Sequence, residues 1–318
     1  MNITFLDAST VDSGDINFNE IKQFGNLTTY SNSNSNNTAE RIKESEIVIT
    51  NKVILDRETI EKAENLKLVV VSATGYNNVD LKSAGDKNVI VCNVVNYSTQ
   101  IVAQHTLSLI LNLCGQTHKY LYEKSLWPKS PIFTRLDHKV NEIYSKKLGI
   151  AGVGNIGENV GTIAEAMGMK VQVLHRKESS NERHPEWKRV TSDEFFSTSD
   201  IISLHCPLTE SNHHLVNEKT LSLMKKGSYL INTSRGGLID ELALATALKN
   251  NVIGGAALDV LSVEPPPIDH CLMQESIPNL LITPHNAWTS IESRKRLIKG
   301  IVENIDSFIK GTPINVVS

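Results

Sequence analysis

At 318 residues the chain exceeds what one ordinary hydrophobic core supports, and it suits two domains. With 40% hydrophobic and 21% charged residues and a formal net charge of −3, it has the composition of a soluble globular protein. The basic excess that extended binding to nucleic acid or an anionic membrane requires is missing, so neither partner is expected.

The opening MNITFLDAST has no basic n-region and no long apolar stretch, which predicts no signal peptide. Short apolar, β-branched runs then alternate with helical segments. ITFLD (3–7), LTTY (27–30), EIVIT (46–50), KLVVVSAT (67–74) and VIVCNV (89–94) form a first set. KLGIAGVG (147–154), KVQVLHR (170–176), DIISLHC (200–206), GSYLINTS (227–234), GGAALDVL (254–261) and LLITPH (280–285) form a second. Continuous apolar strands separated by helices predict parallel sheets covered on both faces, so two α/β units are expected. SNSNSNN (31–37) reads as an exposed loop without chemistry. IVAQHTLSLILNLCG (101–115) carries Gln, His, Ser and Asn, which predicts a buried helix and not a membrane span. The stretch 116–146 has little regular pattern.

From about 290 a last helix shows an apolar stripe at 291, 297, 298, 301, 302, 305, 308 and 309. It follows the last strand of the second unit and is expected to return to the first. The predicted division is a discontinuous substrate-binding domain, 1–98 with 290–318, around a dinucleotide-binding domain, 99–289, with the active cleft between them. The fold class expected is α/β: two doubly wound parallel sheets, a Rossmann cofactor domain inserted in a flavodoxin-like substrate domain.

Gly152-x-Gly154-x-x-Gly157 lies after a strand and opens a helix, which is the context a dinucleotide-binding turn needs. Gly152 permits the tight turn, Gly154 lets a pyrophosphate approach the backbone, and Gly157 lets helix and strand pack closely. The helix N-terminus offers N–H groups and a positive dipole end. Four cysteines (92, 114, 206, 271) without a CxxC predict reduced thiols in a cytoplasmic protein. Ten histidines include no HxxxH or HExxH, and the adjacent His213 and His214 suit an exposed turn, so no metal is expected.

Arg235, Glu264 and His285 stand at or just past predicted strand ends, where open α/β sheets bind ligands. Together they have the chemistry of 2-oxo acid reduction. An Arg clamps a carboxylate and polarises a ketone. A His delivers a proton as hydride reaches the carbon, and a Glu bonded to that His favours its charged form.

The segments SATGYNNVD (72–80), VAQHTLSLIL (102–111), LGIAGVGNIG (148–157), LHCPLT (204–209), INTSRGGLIDE (231–241), GGAALDVLSVEPPP (254–267) and LLITPHNAW (280–288) run the length of the chain. With them the chain resembles the D-2-hydroxyacid dehydrogenase family, and ATGYNNVD and HNAW look most like its hydroxypyruvate reductase (glycerate dehydrogenase) branch. The resemblance implies that Arg235, Glu264 and His285 form the catalytic set, and that backbone N–H groups of Ala73, Thr74 and Gly75 hold the substrate carboxylate. It places Asn155 and Ile156 against the pyrophosphate and Cys206 and Pro207 along the adenosine half. Thr233 and Asp259 would lie near the nicotinamide, with Thr106 on its other side. It also implies a homodimer built with the helix of 100–116 and the arm that follows.

Two departures from the family pattern carry expectations. Where much of the family has an acid after the second strand, this chain has His175 and Arg176. An acid there would repel a 2′-phosphate, whereas a basic pair offers it charge-assisted hydrogen bonds, so NADPH is expected over NADH. The chain ends at NVVS, without the regulatory domain of the long phosphoglycerate dehydrogenases, and Glu264 replaces the Gln of the formate dehydrogenases. The expected activity is reduction of hydroxypyruvate or glyoxylate to the D-2-hydroxy acid. The alternative is a redox-sensing binding protein, since corepressors resembling this family keep the fold. The lack of a long disordered or basic extension weighs against it.

Overall fold

A computed structural model describes residues 1–175, 183–274 and 276–318. It divides into two compact units, Met1–Ser98 with Trp288–Ser318, and Thr99–Ala287.

The first unit contains β1 (Asn2–Phe5), α1 (Asn19–Lys22), β2 (Asn26–Thr29), α2 (Thr38–Ile42) and β3 (Ile47–Thr50). It continues through α3 (Arg57–Lys62), β4 (Leu68–Val71), α4 (Leu81–Asp86) and β5 (Ile90–Asn93). The strands pair in parallel in the order β2-β1-β3-β4-β5. Every residue of β3 (IVIT) and β4 (LVVV) is buried. That explains the unbroken apolar runs, because both faces of these strands are covered by core. One face packs Phe5, Ile49 and Val70 against α11 (Ile291–Ile309) through Leu297, Ile298, Ile301 and Ile305. Each such side chain contributes about 1.5–3 kcal/mol by its burial. The predicted stripe is longer than the contact, since Ile291 and Ile309 at its ends are exposed. Between them Asn304 is buried but satisfied, donating to Asn93 O at 2.8 Å and accepting from Asn315 Nδ2 at 2.9 Å.

The second unit contains α5 (Thr99–Gly115), α6 (Thr117–Tyr122), β6 (Lys147–Ala151), α7 (Asn155–Ala166), β7 (Lys170–Leu174) and β8 (Lys188–Val190). It continues with α8 (Ser192–Thr198), β9 (Ile201–Leu204), α9 (Glu218–Leu223), β10 (Tyr229–Asn232), α10 (Glu241–Lys249), β11 (Gly255–Leu258) and β12 (Leu280–Ile282). Among the described residues its strands lie in the order β12-β11-β10-β9-β6-β7-β8, all parallel. The chain runs outward from β6 in both directions, so a topological switch falls between β6 and β9 at their carboxyl ends. No helix among the described residues is long and apolar enough to cross a membrane.

Strand β8 is absent from the sequence reading because KRV carries two cations and one apolar residue. Its local signal is Trp187, which precedes it, is buried, and stacks on His184 with ring centroids 4.0 Å apart. The predicted strands also overrun at their carboxyl ends. β4 stops at Val71, β10 at Asn232, β11 at Leu258 and β12 at Ile282. The apolar or small residues continue because the first loop residues are themselves buried, as Ala73 and Asp259 are. SNSNSNN adopts neither helix nor strand, and Ser33 within it donates to Leu6 O at 2.6 Å.

Candidate active site

The dinucleotide turn is built as its three glycines require. Gly152 follows β6 with φ of +105°, a conformation that L side chains avoid, and a Cβ there would meet Cys206 N at 2.8 Å. Gly157 sits where a Cβ would come within 3.2 Å of Ile150 Cγ2 and of His205 Cβ, so α7 lies close on β6. Gly154 is the N-cap of α7, and a Cβ on it would meet nothing within 4 Å. The space over the helix N-terminus is therefore open to an anion. The first-turn N–H groups that no preceding carbonyl can serve are available to bind it. These residues fit a dinucleotide pyrophosphate.

Cys206 and Pro207 follow β9, which pairs with β6, and this pairing brings Cys206 against Gly152. Cys206 is buried and Pro207 exposed, with Pro207 O accepting from Asn212 Nδ2 at 2.8 Å. At the end of β7, His175 is exposed and its N–H donates to Val190 O. Arg176 lies outside the described residues. Arg183, which the sequence reading passed over, donates to Asn155 Oδ1 at 2.5 Å and pairs with Glu158 at 2.8 Å. It is thus a cation held on the first turn of α7.

His205 was also passed over. Its Nε2 contacts Ser203 Oγ at 2.8 Å, while Nδ1 is sealed from solvent without a protein partner among the described residues. Burial pushes its pKa down to about 4. The folded ring refuses a proton that the unfolded ring accepts below its ordinary value near 6.5, so stability is lost as pH falls from that value toward 4. His205→Gln should shrink the stability difference between pH 7 and pH 5 by about 2 kcal/mol, read by urea unfolding at both pH values. An unchanged pH dependence would refute this account.

Thr106 donates its hydroxyl to Val102 O at 2.8 Å and lies 3.0 Å from Thr233 Oγ1. Its single proton being used, it accepts from Thr233, so the two predicted residues form one directed pair.

Arg235, Glu264 and His285 all belong to the second unit, each in a loop after a strand. Arg235 caps a short 3-10 turn, with its carbonyl held by Asn232 Nδ2 at 2.9 Å and its Nη1 donating to Ser234 O at 2.7 Å. The next residue, Gly236, has its Cα against the Leu261–Ser262 backbone, where no side chain fits. That close approach couples the Arg235 turn to the segment leading to Glu264. Glu264 Oε1 accepts from Leu261 N at 2.9 Å, and Oε2 faces His285 Nδ1 at 2.6 Å. With Nδ1 turned to a carboxylate, Nε2 is the nitrogen left to exchange a proton with a ligand. His285 has φ of +50°, uncommon for a non-glycine residue, and its N–H donates to Asp259 O at 2.9 Å. Asp259 itself is buried, and its carboxylate accepts from Thr283 Oγ1, Asn286 N and Ala287 N.

In the first unit, Ala73, Thr74 and Gly75 follow β4. The carbonyls of Ala73 and Thr74 accept from Val94 N and Asn93 Nδ2. Among the described residues, the N–H groups of 73–75 have no protein acceptor. His213 and His214 stack on each other in an exposed turn. No group of three His, Cys, Asp or Glu among the described residues is arranged to hold a metal.

Residues 107–287 match the family model described as D-isomer specific 2-hydroxyacid dehydrogenase, NAD binding domain. The chain is 36% identical to a hydroxypyruvate reductase of Blautia hydrogenotrophica, covering 100% of both chains. It is 35% identical to a glycerate dehydrogenase of Methylorubrum extorquens, covering 99% of this chain and 98% of the other. Among solved structures it is similar to an acyclic imino acid reductase in complex with NADPH and D-Arg, at a TM-score of 0.87 and 32% identity over the full length of both. A paired Glu and His in the same unit as a glycine turn of dinucleotide type accords with the match to the family model and with relatives aligned over nearly their full length: the chain belongs to the D-isomer specific 2-hydroxyacid dehydrogenase family.

Proposed function

We propose that the protein reduces a small 2-oxo acid, hydroxypyruvate or glyoxylate first, to the D-2-hydroxy acid, using NADPH in preference to NADH. The observation that carries the reading is the 2.6 Å contact of His285 Nδ1 with Glu264 Oε2. When bound, the reduced nicotinamide supplies hydride to the keto carbon. His285 gives the proton from Nε2 to the oxygen, and Glu264 stabilises the charged ring before transfer. Arg235 binds the substrate carboxylate and polarises the ketone, and the N–H groups of Ala73, Thr74 and Gly75 serve as carboxylate donors. One 2-oxo acid, one reduced cofactor and one proton give one 2-hydroxy acid and the oxidised cofactor.

Gly152, Gly154, Asn155, Ile156 and Gly157 hold the pyrophosphate, with Cys206 and Pro207 along the adenosine and Thr106, Thr233 and Asp259 toward the nicotinamide. His175 and Arg176 read the 2′-phosphate. The exposed His175 supports this, as does the NADPH bound by the imino acid reductase relative. The protein works as a homodimer through the arm after α5, where Tyr122 and Phe133 are about nine-tenths exposed and Leu136 is 81% exposed. So many exposed large apolar side chains in one segment suit a two-fold interface. The four cysteines are free, which suits the cytoplasm.

Steady-state reduction of hydroxypyruvate and glyoxylate, with light scattering on the same preparation, tests all of this. The expected result is a dimer whose kcat/KM is at least about tenfold higher with NADPH than with NADH, a difference of about 1.4 kcal/mol. Preference for NADH would overturn the role of His175 and Arg176 alone. A monomer would remove the arm's role. No turnover across a panel of 2-oxo acids would favour the redox-sensing alternative.

A further inference from the structure

Four of the five residues in the 283–287 turn that carries His285, all but Pro284, are tied to the end of β11. Thr283 N donates to Leu258 O at 2.9 Å, and His285 N to Asp259 O at 2.9 Å. Asn286 N reaches Asp259 Oδ1 and Ala287 N reaches Asp259 Oδ2, both at 3.0 Å. Thr283 Oγ1 donates to Asp259 Oδ1 at 2.6 Å. A carboxylate only accepts, so the single hydroxyl proton of Thr283 points at Asp259. Its oxygen is then an acceptor, and the group placed to donate to it is His105 Nε2, 3.1 Å away on α5. The same nitrogen lies 3.6 Å from Asp259 Oδ1. The result is a directed chain, His105 Nε2–H to Thr283 Oγ1–H to Asp259 Oδ1, in which each bond polarises the next.

We propose that His105 and Thr283 are positioning residues: with Asp259 they clamp the 283–287 turn in the backbone conformation that sets His285 against Glu264. His285 is held at φ of +50°, a conformation that persists only where surrounding bonds over-determine it. Asp259 supplies those bonds, and its 1% exposed side chain leaves no water to substitute for a lost donor. Thr283 and His105 keep the carboxylate oriented toward the Asn286 and Ala287 amides. Neither touches the reacting atoms; both act through the geometry of His285. The role of His285 as proton donor is taken from the function proposed above, but the clamp itself is a property of the turn.

Thr283→Val keeps the shape and removes the hydroxyl. It should lower kcat by about tenfold or more, because misplacing a reacting group by a fraction of a bond length is costly. Cofactor affinity should fall far less than kcat, since Asp259 is one of several proposed cofactor residues and the turn at the start of α7 is untouched. Thr283→Ser should restore turnover, and His105→Leu should act in the same direction as Thr283→Val. In a His285→Ala background, Thr283→Val should have no further effect on residual turnover, since there is no proton donor left to position. Hydrogen exchange of the Asn286 and Ala287 amides should speed up by at least about tenfold in Thr283→Val. Wild-type turnover in Thr283→Val, an equal loss in the His285→Ala background, or unchanged exchange would each overturn the clamp. A wild type without turnover on any 2-oxo acid would instead overturn the proposed function, and the exchange measurement would still decide the clamp.

Discussion

On the proposed function, His285→Ala should lower kcat for 2-oxo acid reduction by about a thousandfold, within the range by which a positioned general acid accelerates proton transfer. The orientation of the ring is fixed. Nδ1 is committed to Glu264 at 2.6 Å, and Glu264 is in turn held by Leu261 N at 2.9 Å. An alanine removes the imidazole proposed as proton donor and leaves Glu264 open to water, since both side chains are only partly buried, at 26% and 33% exposure. No core packing is lost, so folding should be intact. The dinucleotide turn lies on β6 and α7 and makes no use of the imidazole, so fluorescence titration should give a cofactor Kd within about twofold of wild type. A variant that retains a tenth or more of wild-type turnover would remove His285 from the role of proton donor.

Gly154→Val should abolish useful cofactor binding without harming the fold. Gly154 has φ of −90° and ψ of −170°, extended backbone that any residue adopts, and a Cβ there has nothing within 4 Å. A valine is therefore accommodated, and its methyl groups occupy the space over the N-terminus of α7. The pyrophosphate loses its approach to the first-turn N–H groups. Each hydrogen bond to a charged group contributes about 1.5–3 kcal/mol, so losing two weakens NADPH and NADH by at least about a hundredfold. A side chain at Gly152 would be a poorer probe, because it would meet the Cys206 backbone and mix loss of fold with loss of binding. Isothermal titration and thermal melting of Gly154→Val decide the matter. Full affinity in a folded protein would mean the anion binds elsewhere.

Much of the molecule is legible along the chain because the governing physics is local. Strands β3 and β4, buried on both faces, must be unbroken apolar runs, and they are. The stripe on α11 follows from a helix that buries one side, and the spacing Gly152, Gly154, Gly157 follows from a turn that must let a strand, a helix and an anion meet. Parallel sheets also place their ligand-binding groups just past strand ends, so Arg235, Glu264 and His285 stand out by position and chemistry.

Local physics does not reach the rest. β8 has too few apolar residues to announce itself, and is a strand because β7 offers it a ladder. The Arg183 contact with Asn155 and the burial of His205 Nδ1 depend on which strands lie side by side. The clearest case is the site itself. Residue type and position nominate Glu264 and His285, but they are 21 residues apart, and the segment between them, which includes β12, has no pattern to say that they touch. The left-handed backbone at His285 and the three-residue chain from His105 through Thr283 to Asp259 exist only once α5 and the ends of β11 and β12 are assembled. By itself the sequence determined the apolar strands, the glycine turn and which polar side chains stand past strand ends, because each is set by patterns within a few residues. The tertiary structure alone decided their orientation, because hydrogen bonds between distant loops are set by the packing of the elements that carry them.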